Sequence, residues 1–136
     1  MYIVVDANVL CSGLLARGKT AELLFSPKLK PIAPEKLFNE VEEHKDELIE
    51  KSILTEEEFD VLLALYRKHI TIIPEEEFKN KLEEANNLLD PHTKDTEYVA
   101  LAIQYNCPLW SKENRLRNIS QIKVLDADEV AKEITF

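Results

Sequence analysis

The sequence predicts an α/β fold, a three-layer α/β/α sandwich with a central, mostly parallel sheet of five strands. Short apolar or β-branched runs alternate with amphipathic helical segments, which is the order that parallel strands with crossover helices require. The first run, at 2–5, is apolar and ends abruptly at Asp6, as expected of a strand buried on both faces. A length of 136 residues suits one ordinary domain, so we predict a single domain over 1–136.

The segment after the first strand is predicted to form two helices. Apolar spacing indicates a helix that follows Asp6 and reaches Leu15. Gly13 and Gly18 are predicted to bracket a turn, and 19–25 is long enough for a short second helix.

A very short strand is predicted at 31–34, leading into a helix with Pro34 at its first position. That helix is amphipathic as far as Ile49. Thr55 and Glu58 then have the spacing of a capping box, which predicts the start of the next helix.

The second half of the chain continues the alternation. The β-branched run 70–73 predicts the third strand, and acidic residues at 75–77 favour the start of a helix that ends before Asp90-Pro91. A further helix is predicted from Thr93 to Asn106. The remaining predicted elements are strands at 109–110 and 122–125 and a closing helix at 126–134.

Composition excludes several classes of protein. There is no apolar stretch long enough to cross a bilayer and no signal peptide, so we expect a cytoplasmic protein. Cys11 and Cys107 have no metal-ligand spacing and are expected to be buried free thiols, and the three scattered histidines do not indicate zinc. The net charge of −9 argues against nucleic-acid binding by bulk electrostatics, but it does not exclude binding through metal ions and a local basic patch.

Acidic residues are predicted to converge at one edge of the sheet. In this fold the carboxyl ends of the strands and the amino termini of the helices share that edge. Four acids hold such positions: Asp6, Glu40, Asp95 and Glu113. Three further polar residues are expected beside them: Asn8, Asp90 and Ser111. Each also has an ordinary interpretation, since an aspartate can cap a helix and a glutamate is usually exposed.

Clustered carboxylates repel one another unless a cation lies between them. Oxygen ligands without histidine or thiolate suit Mg²⁺ or Mn²⁺. A metal held this way lowers the pKa of its bound water and stabilises negative charge on a phosphate, so the predicted chemistry is phosphodiester hydrolysis.

The chain resembles the PIN domain family of metal-dependent ribonucleases, in particular the small single-domain members that include VapC-type toxins. The resemblance lies in 3–10, 33–40, 90–102 and 108–113, and so extends over nearly the whole chain. It implies that Asp6, Glu40 and Asp95 match the metal-binding acids of the family and that Ser111 matches its hydroxyl residue. At Glu113 the family more often has Asp, and the longer side chain moves the carboxylate outward by one methylene.

The resemblance further implies a sheet with the first strand at its centre, a homodimer, RNA as the substrate and, for toxin members, an antitoxin protein that covers the acidic site. Four basic residues lie near the proposed edge and are candidates for contact with the RNA backbone, although solvated surface charge is an equally good interpretation. They are Lys94, Lys112, Arg115 and Arg117.

One other class of enzyme, one class of signalling domain and one class of binding protein are alternatives, and the sequence argues against the first two. A haloacid dehalogenase-type phosphohydrolase needs a second Asp where Asn8 stands, and a response-regulator receiver needs an Asp where Ile73 and Pro74 stand. The two glycines in the chain exclude a P-loop or dinucleotide site. A non-catalytic PIN-like module that binds RNA or protein remains open.

Overall fold

The computed structural model describes residues 1–15 and 18–135. Its five strands form one sheet in which all neighbouring strands are parallel, in the order β3-β2-β1-β4-β5. The strands are β1 (Tyr2–Val5), β2 (Lys30–Pro34), β3 (Thr71–Ile73), β4 (Leu109–Trp110) and β5 (Val124–Leu125). The predicted α/β class is confirmed, and the first strand is central, as the resemblance implied.

Helices cover the sheet in an α/β/α arrangement. The α-helices are α1 (Ala7–Leu15), α2 (Lys19–Leu24), α3 (Lys36–Glu43), α4 (Lys45–Lys51), α5 (Glu56–His69), α6 (Leu82–Leu89), α7 (Thr96–Tyr105) and α8 (Ala127–Thr135). Helix α7 packs on β1, β2 and β4, whereas α1 contacts α2, α3, α4 and α5. Thr55 caps α5 with the reciprocal hydrogen bonds to Glu58 that the capping box predicts.

The core lies around the central strand, and this packing fixes the place where β1 ends. Ile3, Val4 and Val5 are fully buried, and Val5 is in register with Trp110 of β4. Complete burial of each such side chain contributes about 1.5–3 kcal/mol. The next residue, Asp6, continues the pairing because its amide donates to the Trp110 carbonyl at 3.4 Å.

Gly13 does not bracket a turn but lies inside α1, where it is buried. The Tyr66 hydroxyl donates to the Gly13 carbonyl at 3.0 Å, and a Cβ at Gly13 would lie 2.6 Å from that hydroxyl oxygen. The glycine therefore makes room for a tyrosine from α5. Gly18 precedes α2, and residues 16 and 17 of the predicted turn lie outside the described residues.

The single helix predicted from Pro34 to Ile49 is in fact two helices, and Pro34 is the last residue of β2. The break lies at His44, whose amide donates to the Val41 carbonyl at 3.0 Å in an i to i−3 bond that closes α3. The His44 carbonyl then accepts from the Leu48 amide and opens α4.

The helix predicted from 75 is also interrupted. Two 3-10 helices, Glu75–Glu77 and Lys79–Lys81, precede α6, which begins only at Leu82. Phe78 between them is buried with ψ of 8°, outside the α-helical region. The backbone leaves the helical conformation at Phe78, and the ring is buried in the core there. Two further 3-10 helices, Thr93–Asp95 and Asn114–Asn118, precede α7 and β5.

Both cysteines are free thiols, as predicted, although each is half-buried rather than fully buried. Burial is the main cause that raises the pKa of Cys11 and of Cys107 to about 11. At neutral pH both thiols are therefore protonated and have little nucleophilic character.

Candidate active site

Three of the four predicted acids line one cavity of about 260 Å³ at the carboxyl edge of the sheet. Asp6 follows β1, Glu40 lies in the second turn of α3, and Asp95 immediately precedes α7. The cavity is lined by Asp6, Ala7, Asn8, Glu40, His44, Lys94, Asp95 and Tyr98. Strand ends and helix starts thus place these acids together in the way that the topological argument predicts.

Asp6 is the most buried of these acids, with 4% of its surface exposed. Its Oδ1 accepts from the Val9 amide at 3.0 Å, so Asp6 caps α1 and also faces the cavity. Burial raises the pKa of the Asp6 carboxyl, and the nearby charges of Asp95 and Glu113 act in the same direction. Hydrogen bonds from the Ser111 side chain and the Val9 amide oppose this rise by favouring the ionised form.

Glu40 is held by a tyrosine from α7. The Tyr98 hydroxyl donates to Glu40 Oε1 at 2.9 Å, and Lys36 Nζ lies 3.6 Å from the same oxygen. Burial and the Glu40 charge raise the pKa of Tyr98, so this hydroxyl remains a donor at neutral pH. Lys36 also donates to the Lys94 carbonyl at 2.6 Å, which joins α3 to the 3-10 helix Thr93–Asp95.

Asp95 and Glu113 share an arginine. Arg115 Nη2 donates to Asp95 Oδ2 at 2.9 Å, and Arg115 Nε lies 3.4 Å from Glu113 Oε2. Lys94 Nζ is 3.9 Å from the other oxygen of Glu113. Asp95 does not cap α7 through its side chain, so the capping interpretation is wrong for this residue. Glu113 lies beside the cavity but is not part of its lining.

The remaining polar candidates are divided between the cavity and its surroundings. Ser111 is 1% exposed, and its Oγ accepts from the Glu113 amide at 3.1 Å. Asn8 is exposed and lines the cavity. Asp90 is exposed at the carboxyl end of α6 and is not part of the lining.

The four basic candidates also differ in position. Lys94 lines the cavity, and Lys112 Nζ donates to Ser12 Oγ on α1. Arg115 binds the acids described above. Arg117, in contrast, binds Glu129 of α8, with Nη1 to Oε2 at 3.3 Å, and lies near Asp126. Its partners are therefore not the acids of the cavity.

Sequence reasoning missed Lys36, His44 and Tyr98. Lys36 and His44 lie four residues before and after Glu40, and Tyr98 lies three residues after Asp95. These are the separations at which helical neighbours share a face. Helical spacing from the predicted acids could therefore have indicated Lys36, His44 and Tyr98.

The chemistry of the donor set suits a hard divalent cation, because the cavity offers carboxylate oxygens. Burial, and to a smaller extent the charges of Asp95 and Glu113, raise the pKa of Asp6, and a cation would favour its ionised form. As placed, however, the described residues contain no group of three Asp, Glu, His or Cys side chains that could hold an ion. Arg115 accounts for part of this difference, since it binds Asp95 and Glu113.

Fold and site together define an α/β protein with an acidic cavity at the carboxyl edge of a parallel sheet. A family model for the PIN domain matches residues 4–133, and the chain belongs to the PIN domain family. PIN domains are generally nucleases that typically use divalent metals, which indicates a nuclease-like function and nucleic-acid binding.

A comparison with curated proteins found no match. None of the helices within 1–15 and 18–135 has the length and apolar character needed to cross a membrane.

Proposed function

We propose that this protein is a Mg²⁺- or Mn²⁺-dependent endoribonuclease that hydrolyses phosphodiester bonds in RNA. The observation that carries the proposal is the position of Asp6, Glu40 and Asp95, which come from three separate elements and line one cavity. Membership of the PIN domain family supports the choice of nuclease chemistry. RNA, rather than DNA, rests on the resemblance to ribonucleases alone.

In this proposal Asp6, Glu40 and Asp95 hold the metal ion, and Glu113 contributes from beside the cavity. When bound, the ion supplies charge neutralisation at the phosphate and lowers the pKa of a water molecule. Ser111 and the Val9 amide orient the Asp6 carboxylate, because both are hydrogen-bonded to it.

Two further residues support binding of metal and substrate. Tyr98 orients the carboxylate of Glu40. Lys94 lines the cavity and is exposed, which supports the proposal that its ammonium group binds an RNA phosphate. Asn8 is a second polar group at the exposed side of the cavity.

Four parts of the proposal rest on composition or on the resemblance. They are a single domain over 1–136, a cytoplasmic location, a homodimer, and a toxin role with an antitoxin protein as partner. Asp90, Lys112 and Arg117 have weaker support as site residues, because none of them lines the cavity, Lys112 is bonded to Ser12 and Arg117 to Glu129.

The second candidate function is a non-catalytic PIN-like module that binds RNA or protein. The ion pairs of Arg115 favour it, because they occupy two carboxylates that metal binding would use. Substitution of Asp6 or Asp95 distinguishes the two functions. A nuclease should lose cleavage, whereas a binding module should keep its affinity for RNA or protein.

The proposed function is tested by incubation of end-labelled RNA with purified protein in Mn²⁺, Mg²⁺ or chelator. Asp6→Asn and Asp95→Asn are each expected to lower the cleavage rate by at least about a hundredfold, since several kcal/mol of charge stabilisation depend on the metal. Asp128→Asn is the matched control, because this aspartate pairs with Lys19 on the surface and its side chain is 76% exposed. The control is expected to cleave as the wild type does.

Cleavage that does not require metal, or that persists in both variants, would contradict the proposal. If folded wild type leaves several RNA substrates intact in both metals, binding should be measured directly. RNA affinity that is equal in wild type and Asp6→Asn would then support the binding module instead.

A further inference from the structure

Arg115 is a positively charged group placed among the proposed metal ligands, and the proposed function does not explain its position. It lies in the 3-10 helix Asn114–Asn118, after β4, and reaches back to Asp95 at the start of α7. Its guanidinium contacts two carboxylates, at 2.9 Å from Asp95 and at 3.4 Å from Glu113. An arginine that contacts two acids in this way neutralises charge that a cation would otherwise neutralise.

The acids on the other side of the cavity have different partners. Asp6 is hydrogen-bonded to an amide and a hydroxyl, which are neutral groups. Glu40 accepts from the Tyr98 hydroxyl at 2.9 Å, and its nearest ammonium, Lys36 Nζ, is 3.6 Å away. The carboxylates are thus divided into two sets. Asp95 and Glu113 are bound by Arg115, whereas Asp6 and Glu40 have mainly neutral donors.

The division explains why these acids do not form a preassembled metal site. The described residues contain no group of three ligand side chains close enough to hold an ion, although three acids line the same cavity. Asp95 Oδ2 accepts from Arg115, so an ion bound by Asp6 and Asp95 would lie close to the guanidinium, and the two positive charges would repel each other. Metal binding and the Arg115 ion pairs therefore oppose each other.

From this geometry we infer that Arg115 is an internal counter-ion that competes with the divalent cation for Asp95 and Glu113. The inference rests on the proposed function, because it takes these acids to be metal ligands. It assigns Arg115 a role in addition to that of a surface charge near RNA. Arg115 stabilises the metal-free acids and thereby weakens the affinity for the metal.

Calorimetric titration with MnCl₂, without RNA, tests this inference directly. Arg115→Gln is expected to bind Mn²⁺ about fivefold more tightly than the wild type, a change in the range that loss of its partly exposed ion pairs produces. Arg115→Lys keeps the charge but loses the two-pronged donor geometry, so its affinity should fall between the two.

Arg117→Gln is the matched control. Arg117 lies two residues away in the same 3-10 helix, but its partners are Glu129, within α8, and Asp126, directly before α8. This variant also loses ion pairs, yet its Mn²⁺ affinity is expected to stay within about twofold of the wild type, because those acids do not line the cavity.

Thermal unfolding gives a second readout that does not depend on activity. In chelator, Arg115→Gln is expected to unfold at a lower temperature than the wild type, because Asp95 and Glu113 lose their counter-ion. Saturating Mn²⁺ should restore the loss and give Arg115→Gln a larger stabilising shift than either wild type or Arg117→Gln.

Equal or weaker Mn²⁺ binding by a folded Arg115→Gln variant would overturn this inference and leave the proposed nuclease function in place. Mn²⁺ binding by Arg115→Gln but not by the wild type would be the strongest support for the competition. If neither protein binds Mn²⁺ or Mg²⁺, both the competition and the metal-dependent function are wrong.

Discussion

The two aspartates that line the cavity are stabilised in different ways. Asp6 is almost completely buried at the end of the central strand, and its hydrogen-bond donors are the Val9 amide and Ser111. Asp95 is also mostly buried, with 13% of its side chain exposed, but it accepts from the guanidinium of Arg115. The same type of side chain, in the same cavity, therefore has neutral hydrogen-bond donors in one case and a cationic donor in the other.

This difference shows which acid bears the electrostatic cost of the site. Burial raises the pKa of Asp6, and the charges of Asp95 and Glu113 add to that effect. An ionised Asp6 consequently lowers the free energy of unfolding at neutral pH. Asp95 accepts a charge-assisted hydrogen bond from the Arg115 guanidinium at 2.9 Å. A bound cation would stabilise the ionised form of Asp6, whereas at Asp95 it would compete with Arg115 for the same carboxylate.

The first and largest expected effect is an opposite change in stability at the two positions. In chelator, Asp6→Asn should raise the unfolding temperature and Asp95→Asn should lower it, because the first removes a buried charge and the second leaves Arg115 without its main partner. Each shift should be about 3–6 °C, which corresponds to about 1 kcal/mol in a domain of this size. Differential scanning calorimetry in chelator measures both.

The matched control for these shifts is again Asp128→Asn, whose side chain is exposed. It should change the unfolding temperature by less than about 2 °C, as expected for a surface ion pair. Shifts of the same sign at Asp6 and Asp95 would show that the two environments do not differ as described.

The second prediction concerns pH and involves Asp6 alone. Because the folded-state pKa of Asp6 is raised above its ordinary value of 3.8, the folded state favours the protonated carboxyl. The stability cost of Asp6 is therefore absent below pH 3.8 and grows as the pH rises through the raised pKa. The unfolding free energies of wild type and Asp6→Asn should converge at low pH and separate towards neutral pH. Urea titrations in chelator at several pH values measure this difference.

A constant difference between wild type and Asp6→Asn across that range would contradict the prediction, because a purely steric effect does not titrate. Saturating Mn²⁺ provides a further check on the wild type. A cation beside Asp6 favours the ionised carboxyl, so it should reduce the loss of stability towards neutral pH.

The position of Asp6 at the end of the central strand can be predicted from the sequence because two local signals agree. An apolar run buries the central strand, and an acid follows at once, so both the strand and its end can be located without knowledge of the rest of the chain. The same reasoning placed Glu40 and Asp95, since both lie close to the start of a helix in an alternating fold.

Features that depend on distant side chains could not be predicted in this way. Gly13 looks like a turn residue until Tyr66, 53 residues later, is known to pack against it. No local sequence pattern distinguishes Arg115 from Arg117, yet Arg115 binds Asp95 and Arg117 binds Glu129. A 3-10 helix directs side chains two positions apart to different sides, and only the packed structure shows which acid each one meets.

The third and smallest expected effect is at Glu113, which lies on the arginine-bound side but outside the cavity lining. Its contacts with Arg115 and Lys94 are 3.4 and 3.9 Å, longer than the 2.9 Å contact between Arg115 and Asp95. Glu113→Gln should therefore change the unfolding free energy in chelator by less than about 0.5 kcal/mol.

The same substitution should lower the cleavage rate by about tenfold, the lower end of the range expected of a group that supports a metal ligand but does not bind the metal. Parallel denaturation and cleavage assays of Glu113→Gln and Asp95→Asn measure the contrast. A loss of cleavage as large as that of Asp95→Asn would place Glu113 among the essential ligands. Its longer side chain would then reach the metal as the family's aspartate does, and the arginine-bound side would supply two ligands rather than one.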